Sequence, residues 1–305
     1  MTKLHETAAT RLTWRLTLRA SCGLLFLCGI FVLSCLVTLN AMRGFAGGFS
    51  DMTLVRACLY FGTGAAGLFV AWRAGSALWA PLPLPRGLQL GQKRLPLLYA
   101  FVDGMGRRCD GIEVDAVWLT DDFNAAVLQR PRWGLFGRFE THLMVGLPLA
   151  CRLSKRELAA ILAHEYGHIR RFRCTRAAWS VHVRSWWLRA LDRWIETMPL
   201  CAPLFDRWTF SELSDALRLA RYEEFEADRS AAGVVGAQTM VDTLHAVEAA
   251  FKTSLYAEGC AHADTAEVMG GVAVHPSLAE RCAALGCHPS DGGVEQRFFR
   301  AAQHD

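Results

Sequence analysis

Nineteen consecutive residues without a charge, "SCGLLFLCGIFVLSCLVTL" from Ser21 to Leu39, constrain this chain more than any other feature. As a helix they extend about 28 Å, close to the ~30 Å hydrocarbon core of a bilayer. A second apolar run, "LVRACLYFGTGAAGLFVAW" from Leu54 to Trp72, is interrupted only by Arg56 near one end, where a long side chain can snorkel to the interface. Trp72 and Trp79 suit the aromatic belt at its other end. The two runs predict a two-helix transmembrane hairpin within residues 21–80, with spans at about 21–39 and 54–72, rather than a pair of buried core helices.

Orientation follows from the basic residues. Lys3, Arg11, Arg15 and Arg19 precede the first span, and Arg73, Arg86, Lys93 and Arg94 follow the second. The connection between them carries only Arg43, offset by Asp51. Positive-inside bias therefore puts the basic tail, 1–20, and everything after residue 80 in the cytoplasm. "LNAM" is a poor small-residue cleavage site and a second span follows directly, so the first span reads as uncleaved. The eleven cysteines are odd in number and irregular in spacing, and Cys22, Cys28, Cys35 and Cys58 lie within the spans. They read as reduced, small apolar residues rather than a disulfide framework. The net charge of +4 is accounted for by the arginines flanking the spans and gives no case for nucleic acid as a partner.

A proline-rich linker, 81–93, contains "PLPLPRG", which cannot continue a helix. Residues 94–290 read as a soluble α+β domain, and 291–305 as a C-terminal tail. "LPLLYAFVDGMGRRC" has helical periodicity, and "IEVDAVWLT" is strand-like before a turn at "DDFN". "RFETHLMVG", Arg138 to Gly146, alternates with Phe139, Thr141, Leu143 and Val145 on one face, as a half-buried strand does.

"LSKRELAAILAHEYGHIRR" opens with Ser154 three residues before Glu157, a capping box that starts a helix near Lys155. Four residues apart on that helix, His164 and His168 project from one face, a spacing at which two imidazoles reach one metal ion. Glu165, about 100° round from His164, can act on a water without binding the metal itself. A catalytic zinc needs a third protein ligand. In "RYEEFEADRSAA" Glu224 can complete the set, and Asp228, one turn on, can hydrogen-bond the far nitrogen of His164 and fix its tautomer. An exposed acidic face pairing with Arg221 and Arg229 is the plain alternative. Thr209 with Glu212 forms a second capping-box pattern ahead of this segment. Between the two motifs, Trp179, Trp186, Trp187 and Trp194 among four arginines fit either an interfacial helix or core packing.

With "VWLTDDFNAAVL", "GLPLACRLSKRELAAILAHEYGHIRR", "RYEEFEADRSA" and "HPSLAERCAAL" in that order, the chain resembles the membrane zinc metalloproteases that include HtpX and the CAAX prenyl endopeptidases. The resemblance covers residues 94–285 and implies a mainly helical, zincin-like (gluzincin) α+β metalloprotease domain with a small sheet. It implies one Zn2+ per chain on His164, His168 and Glu224, with Glu165 as general base. It also implies a cleft lined by the strand bearing Phe139, Thr141 and Leu143, here expected to bind substrate backbone by strand addition. His275, at the head of "HPSLAER", is a candidate to stabilise the oxyanion or to occupy the metal's open position, or it simply opens the turn before Pro276. The sequence departs from the family at Ala220, where serine is usual, and has too few spans for the intramembrane chamber of the prenyl-protein enzymes. The expected protein is a two-span protease of a bacterial inner membrane acting on membrane or misfolded proteins, its partners a protein or peptide substrate and the lipid bilayer. A non-proteolytic, zinc-containing adaptor or holdase is the alternative. Gly62 and Ala66 offer small residues through which spans of two copies can pack into a homo-oligomer.

Overall fold

The computed structural model describes residues 2–47, 53–170, 175–198, 202–257 and 276–288. In chain order the elements are α1 (Thr2–Gly47), α2 (Leu54–Leu78), β1 (Leu88–Leu90), α3 (Pro96–Arg108), β2 (Ala116–Thr120), β3 (Ala125–Pro131) and β4 (Phe139–Gly146). They continue with α4 (Leu147–Ala150), α5 (Lys155–Arg170), α6 (Thr175–Thr197), α7 (Ala202–Val235), α8 (Ala237–Ala257) and α9 (Leu278–Leu285). The fold is mainly helical with one small sheet. It divides into two compact units, one of Met1–Leu82 with Trp179–Asp215, the other of Pro83–Ala178 with Ala216–Asp305. The stretch Trp179–Asp215, inside the 94–290 segment, groups with the N-terminal helices.

In the first unit α1 and α2 lie side by side because small residues line their contact. A Cβ on Gly67 would come within 2.6 Å of Thr38 Oγ1 and 3.1 Å of the Ser34 carbonyl, and Ala71, Ala74 and Ala77 are buried. The large apolar side chains point outward: Leu25, Phe26, Leu33, Leu36, Phe61 and Leu68 are each more than half exposed. A core helix would bury these residues, whereas a lipid-facing helix presents them. Both helices have the length and composition to cross a membrane.

Two tryptophans of α6, Trp187 and Trp194, are packing residues. Trp187 and Trp194 are buried with Ala20, Leu24, Leu27, Ala74 and Ala77, and the Trp187 ring occupies the space that a side chain at Gly23 would need. The helix also satisfies carbonyls left over at the C-terminal end of α2. Trp186 Nε1 donates to the Leu78 carbonyl at 2.8 Å, Arg193 to Trp79 at 2.6 Å and Arg189 to Ala80 at 3.0 Å. Trp187 Nε1 donates to Glu212 Oε2 at 3.0 Å, and burial pushes the Glu212 carboxyl above its usual range. Thr209, expected to open a helix, lies inside α7, which begins at Ala202 and runs through that position.

In the second unit the sheet has the order β1-β2-β4-β3, with β2 and β4 parallel and the two outer pairings antiparallel. One face, through Val117, Leu143 and Val145, joins α3 and α5 in the main core. The strand expected to hold substrate lies inside the sheet. The strand bearing Phe139, Thr141 and Leu143 is interior, paired to β2 over His142–Gly146 and to β3 over Phe139–Val145. Thr141, His142 and Leu143 are all buried, so the strand is enclosed on both faces rather than half-buried. From His142 to Val145 the strand is paired on both sides, and at Thr141 the second side is taken by Asp115, which leaves no free edge there for substrate. β3 is the longer of the two edge strands, and α5 packs against that strand.

Candidate metal centre

Helix α5 begins as its capping box requires. Ser154 N donates to Glu157 Oε2 at 2.6 Å, and Glu157 N donates to Ser154 Oγ at 3.3 Å. Its inner face, Leu158, Leu162, Tyr166 and Ile169, is buried in the main core. The Tyr166 hydroxyl donates to the Val102 carbonyl of α3 at 3.3 Å, and burial raises its phenol so that it stays neutral. With that face anchored, the helical repeat turns His164, Glu165 and His168 to another side, where their ligand atoms lie within 4.8 Å of one another. The imidazoles meet edge to face at 89°, with their Nε2 atoms 3.3 Å apart.

Glu224 reaches this pair from α7. Its Oε2 lies 3.6 Å from His164 Nε2, and its Oε1 lies 3.4 Å from His168 Nε2. Donors bound at tetrahedral corners ~2.0–2.1 Å from an ion are separated by about 3.3–3.4 Å. Two imidazoles and one carboxylate at these spacings fit a single divalent cation, the carboxylate supplying the charge.

Behind His164 the chain builds a support. Asp228, 1% exposed, accepts from His164 Nδ1 at 2.9 Å. The proton is then held on Nδ1, and the Nε2 lone pair faces His168 and Glu224. Asp228 is itself held by Arg281 of α9, whose Nε donates to Oδ2 at 2.7 Å and whose Nη2 donates to Oδ1 at 2.5 Å. This is a bidentate fork, the geometry for which guanidinium is suited. Nη2 and His164 Nδ1 approach to 3.5 Å because both donate to the same carboxylate oxygen. Burial disfavours the Asp228 charge, but the hydrogen bonds from Arg281 and His164 outweigh it and hold the carboxyl down at about 2. Outside this clamp, Arg221 donates to Glu280 of α9 at 2.8 Å.

The structure therefore brings together His164, Glu165, His168, Glu224 and Asp228, as the two sequence motifs anticipate. It adds Arg281, which motif spacing alone does not single out, since its partner lies 53 positions away. The missed signal was Asp228 itself, a buried carboxylate that needs more than one imidazole to balance it. His245 lies 3.6 Å from the Cys282 sulfur. His275 lies outside the described residues.

The close approach of α5 and α7 depends on Gly167. A Cβ there would fall 2.8 Å from Ala227 Cα and 3.0 Å from its carbonyl, both backbone atoms that cannot swing away. Gly167→Val is expected to push the helices apart and weaken metal retention at least about tenfold, since ligand sets tolerate only tenths of an ångström. Competition with a fluorescent chelator measures this, with Gly167→Ala giving a smaller loss.

The model of peptidase family M48 matches residues 134–287, half of the chain, and every side chain just described falls within the matched stretch. The chain belongs to peptidase family M48. A comparison with curated proteins finds no match. Members of this family are zinc metallopeptidases, with which the His164, Glu165 and His168 cluster is compatible, and a peptidase takes protein or peptide as substrate.

Proposed function

We propose that this M48 peptidase is a membrane-anchored, zinc-dependent endopeptidase, with His164, His168 and Glu224 as zinc ligands and Glu165 as general base. The observation that carries the reading is the spacing of the three donor groups, 3.3, 3.4 and 3.6 Å, beside a second carboxylate on the same helix. When bound, zinc supplies Lewis acidity, acidifying water and polarising a carbonyl oxygen. Glu165 then accepts a proton from the attacking water and returns it to the leaving nitrogen. Asp228 keeps His164 in its ligating tautomer, and Arg281 keeps Asp228 ionised and in place.

Substrate recognition moves from β4 to β3. β3 is the longer edge strand and α5, the helix that bears Glu165, packs against β3, so an extended peptide adding to its outer edge is brought near that helix. Backbone pairing reads conformation more than sequence, which suits unfolded stretches of membrane or misfolded proteins. The outward apolar faces of α1 and α2 support a two-span anchor, and the basic flanks support a cytoplasmic peptidase unit. His275 remains a candidate for the oxyanion or the open metal position. Unchanged turnover and unchanged metal affinity in His275→Ala would discard both roles.

The decisive test uses detergent-purified protein and casein. Zinc-loaded protein is expected to cleave, a chelator to stop cleavage, and added zinc to restore it. Stoichiometric zinc with no cleavage of casein or of unfolded membrane proteins would favour the adaptor reading instead.

A further inference from the structure

Because β1 and β3 run against β2 and β4, the β1–α3 connection and the β3–β4 hairpin leave the sheet at the same end. That end is unusually apolar and basic on its outside. The hairpin tip, "RWGLFGR", presents Trp133 at 74% exposure and Phe136 at 52%, between Arg132 and Arg138. The connection presents exposed Lys93, Arg94 and Leu95, and the first turn of α3 adds Leu97 at 85%. Two carboxylates, Asp115 and Glu140, pair with the hairpin arginines. Asp115 lies 3.3 Å from Arg138 and Glu140 lies 3.5 Å from Arg132; both arginines are exposed, while Glu140 is half-buried.

The hairpin is built to hold its aromatics outward. Arg132 N donates to the Arg138 carbonyl at 2.9 Å and Trp133 N to the Phe136 carbonyl at 3.0 Å. Gly134 and Gly137 take positive φ, 85° and 102°, where other residues are strained. The Trp133 ring lies across Gly137, at 3.2 Å from where a Cβ would stand, so one face is supported and the rest is open. Leu135, 2% exposed, anchors the tip from within. A water-facing tip gains nothing from a fixed, exposed indole.

We propose that this end of the sheet docks on the surface of an anionic bilayer. Tryptophan, phenylalanine and leucine beside lysine and arginine match the interface, where rings and aliphatic chains enter the headgroup boundary and cations meet lipid phosphates. From Leu84 to Leu97 the chain has Arg86, Lys93 and Arg94 and no acidic residue. Lipid is also the partner always at hand. The path from Leu78, the end of α2, to Gly91 can extend at most about 45 Å, so on the reading of α2 as a span this surface is permanently tethered near the bilayer. A separate protein would have to be recruited.

The test reconstitutes the full chain in nanodiscs of phosphatidylcholine, with and without phosphatidylglycerol, and follows amide hydrogen exchange. Peptides covering 91–97 and 131–138 are expected to exchange roughly tenfold more slowly in the anionic discs, while β2 and β4 stay unchanged. The double variant Trp133→Ser, Phe136→Ser alters exposed side chains only and is expected to abolish hairpin protection with an unchanged Tm. Lys93→Gln with Arg94→Gln is expected to remove the dependence on anionic lipid. Equal exchange in both discs and in detergent would overturn the proposal. So would protection that appears only with added casein, which marks a substrate surface, or only at more than one chain per disc, which marks a contact between copies. Failure of the chain to enter discs at all would instead remove the membrane reading on which the proposal stands.

Discussion

Glu165→Gln is expected to retain stoichiometric zinc and to lose casein turnover by a factor of about 10³ or more. Glutamine keeps the length of the side chain but cannot take a proton from water, and a positioned acid–base group is commonly worth 10²–10⁴ in rate. The ligand set should be untouched, because His164, His168 and Glu224 meet one another without Glu165. His164→Ala is the contrasting variant, expected to lose zinc and turnover together. The pair separates chemistry from metal binding: metal analysis should distinguish them while activity does not. Retained cleavage in Glu165→Gln would mean that another group moves the proton.

Arg281→Ala is expected to destabilise the protein by about 3 kcal/mol and to weaken zinc binding by roughly 10–100-fold. Asp228 is 1% exposed, and the substitution leaves its carboxylate with His164 and no cation in fork geometry. Arg281→Lys restores charge but not the two parallel hydrogen bonds, so partial recovery is expected. Adding Asp228→Asn to Arg281→Ala should recover stability, since the buried charge is gone, without recovering zinc affinity. A residue that only filled space would not give that split. The linkage to pH has a definite sign. The folded Asp228 carboxyl sits at about 2, below its ordinary value, so its contribution is fully present above about pH 5 and is lost as pH falls through 2. Without Arg281 that contribution shrinks, and the acid-unfolding midpoint of metal-free protein should move upward.

What was legible in the sequence was local. The start of α5 follows from Ser154 and Glu157, three residues apart, and the placement of His164 and His168 follows from helical geometry once the helix is granted. Glu224 and Asp228 were readable because the same geometry applies within α7. The failures concern choices among distant partners. Alternation along Phe139–Gly146 marks a strand, but whether it lies inside a sheet or at its edge depends on β2 and β3 choosing it as their neighbour. Thr209 and Glu212 have the form of a cap, yet Glu212 is engaged by Trp187, 25 positions away, and the helix runs through. Arg281 was hidden for the same reason. Trp187 and Trp194 suited an interface or a core equally well by composition, and only the small residues Gly23, Ala74 and Ala77 in the adjoining helices decide the matter.

Substrate addition at the edge of β3, as proposed, has a kinetic corollary. A strand edge that recognises backbone also recognises backbone that has already been cut, because a fragment keeps most of the hydrogen-bonding groups of its parent. Products are therefore competitors by construction, and they accumulate as the substrate is consumed. Progress curves should bend early, and the pace of repeated cleavage along one chain should be set by how quickly the fragments let go.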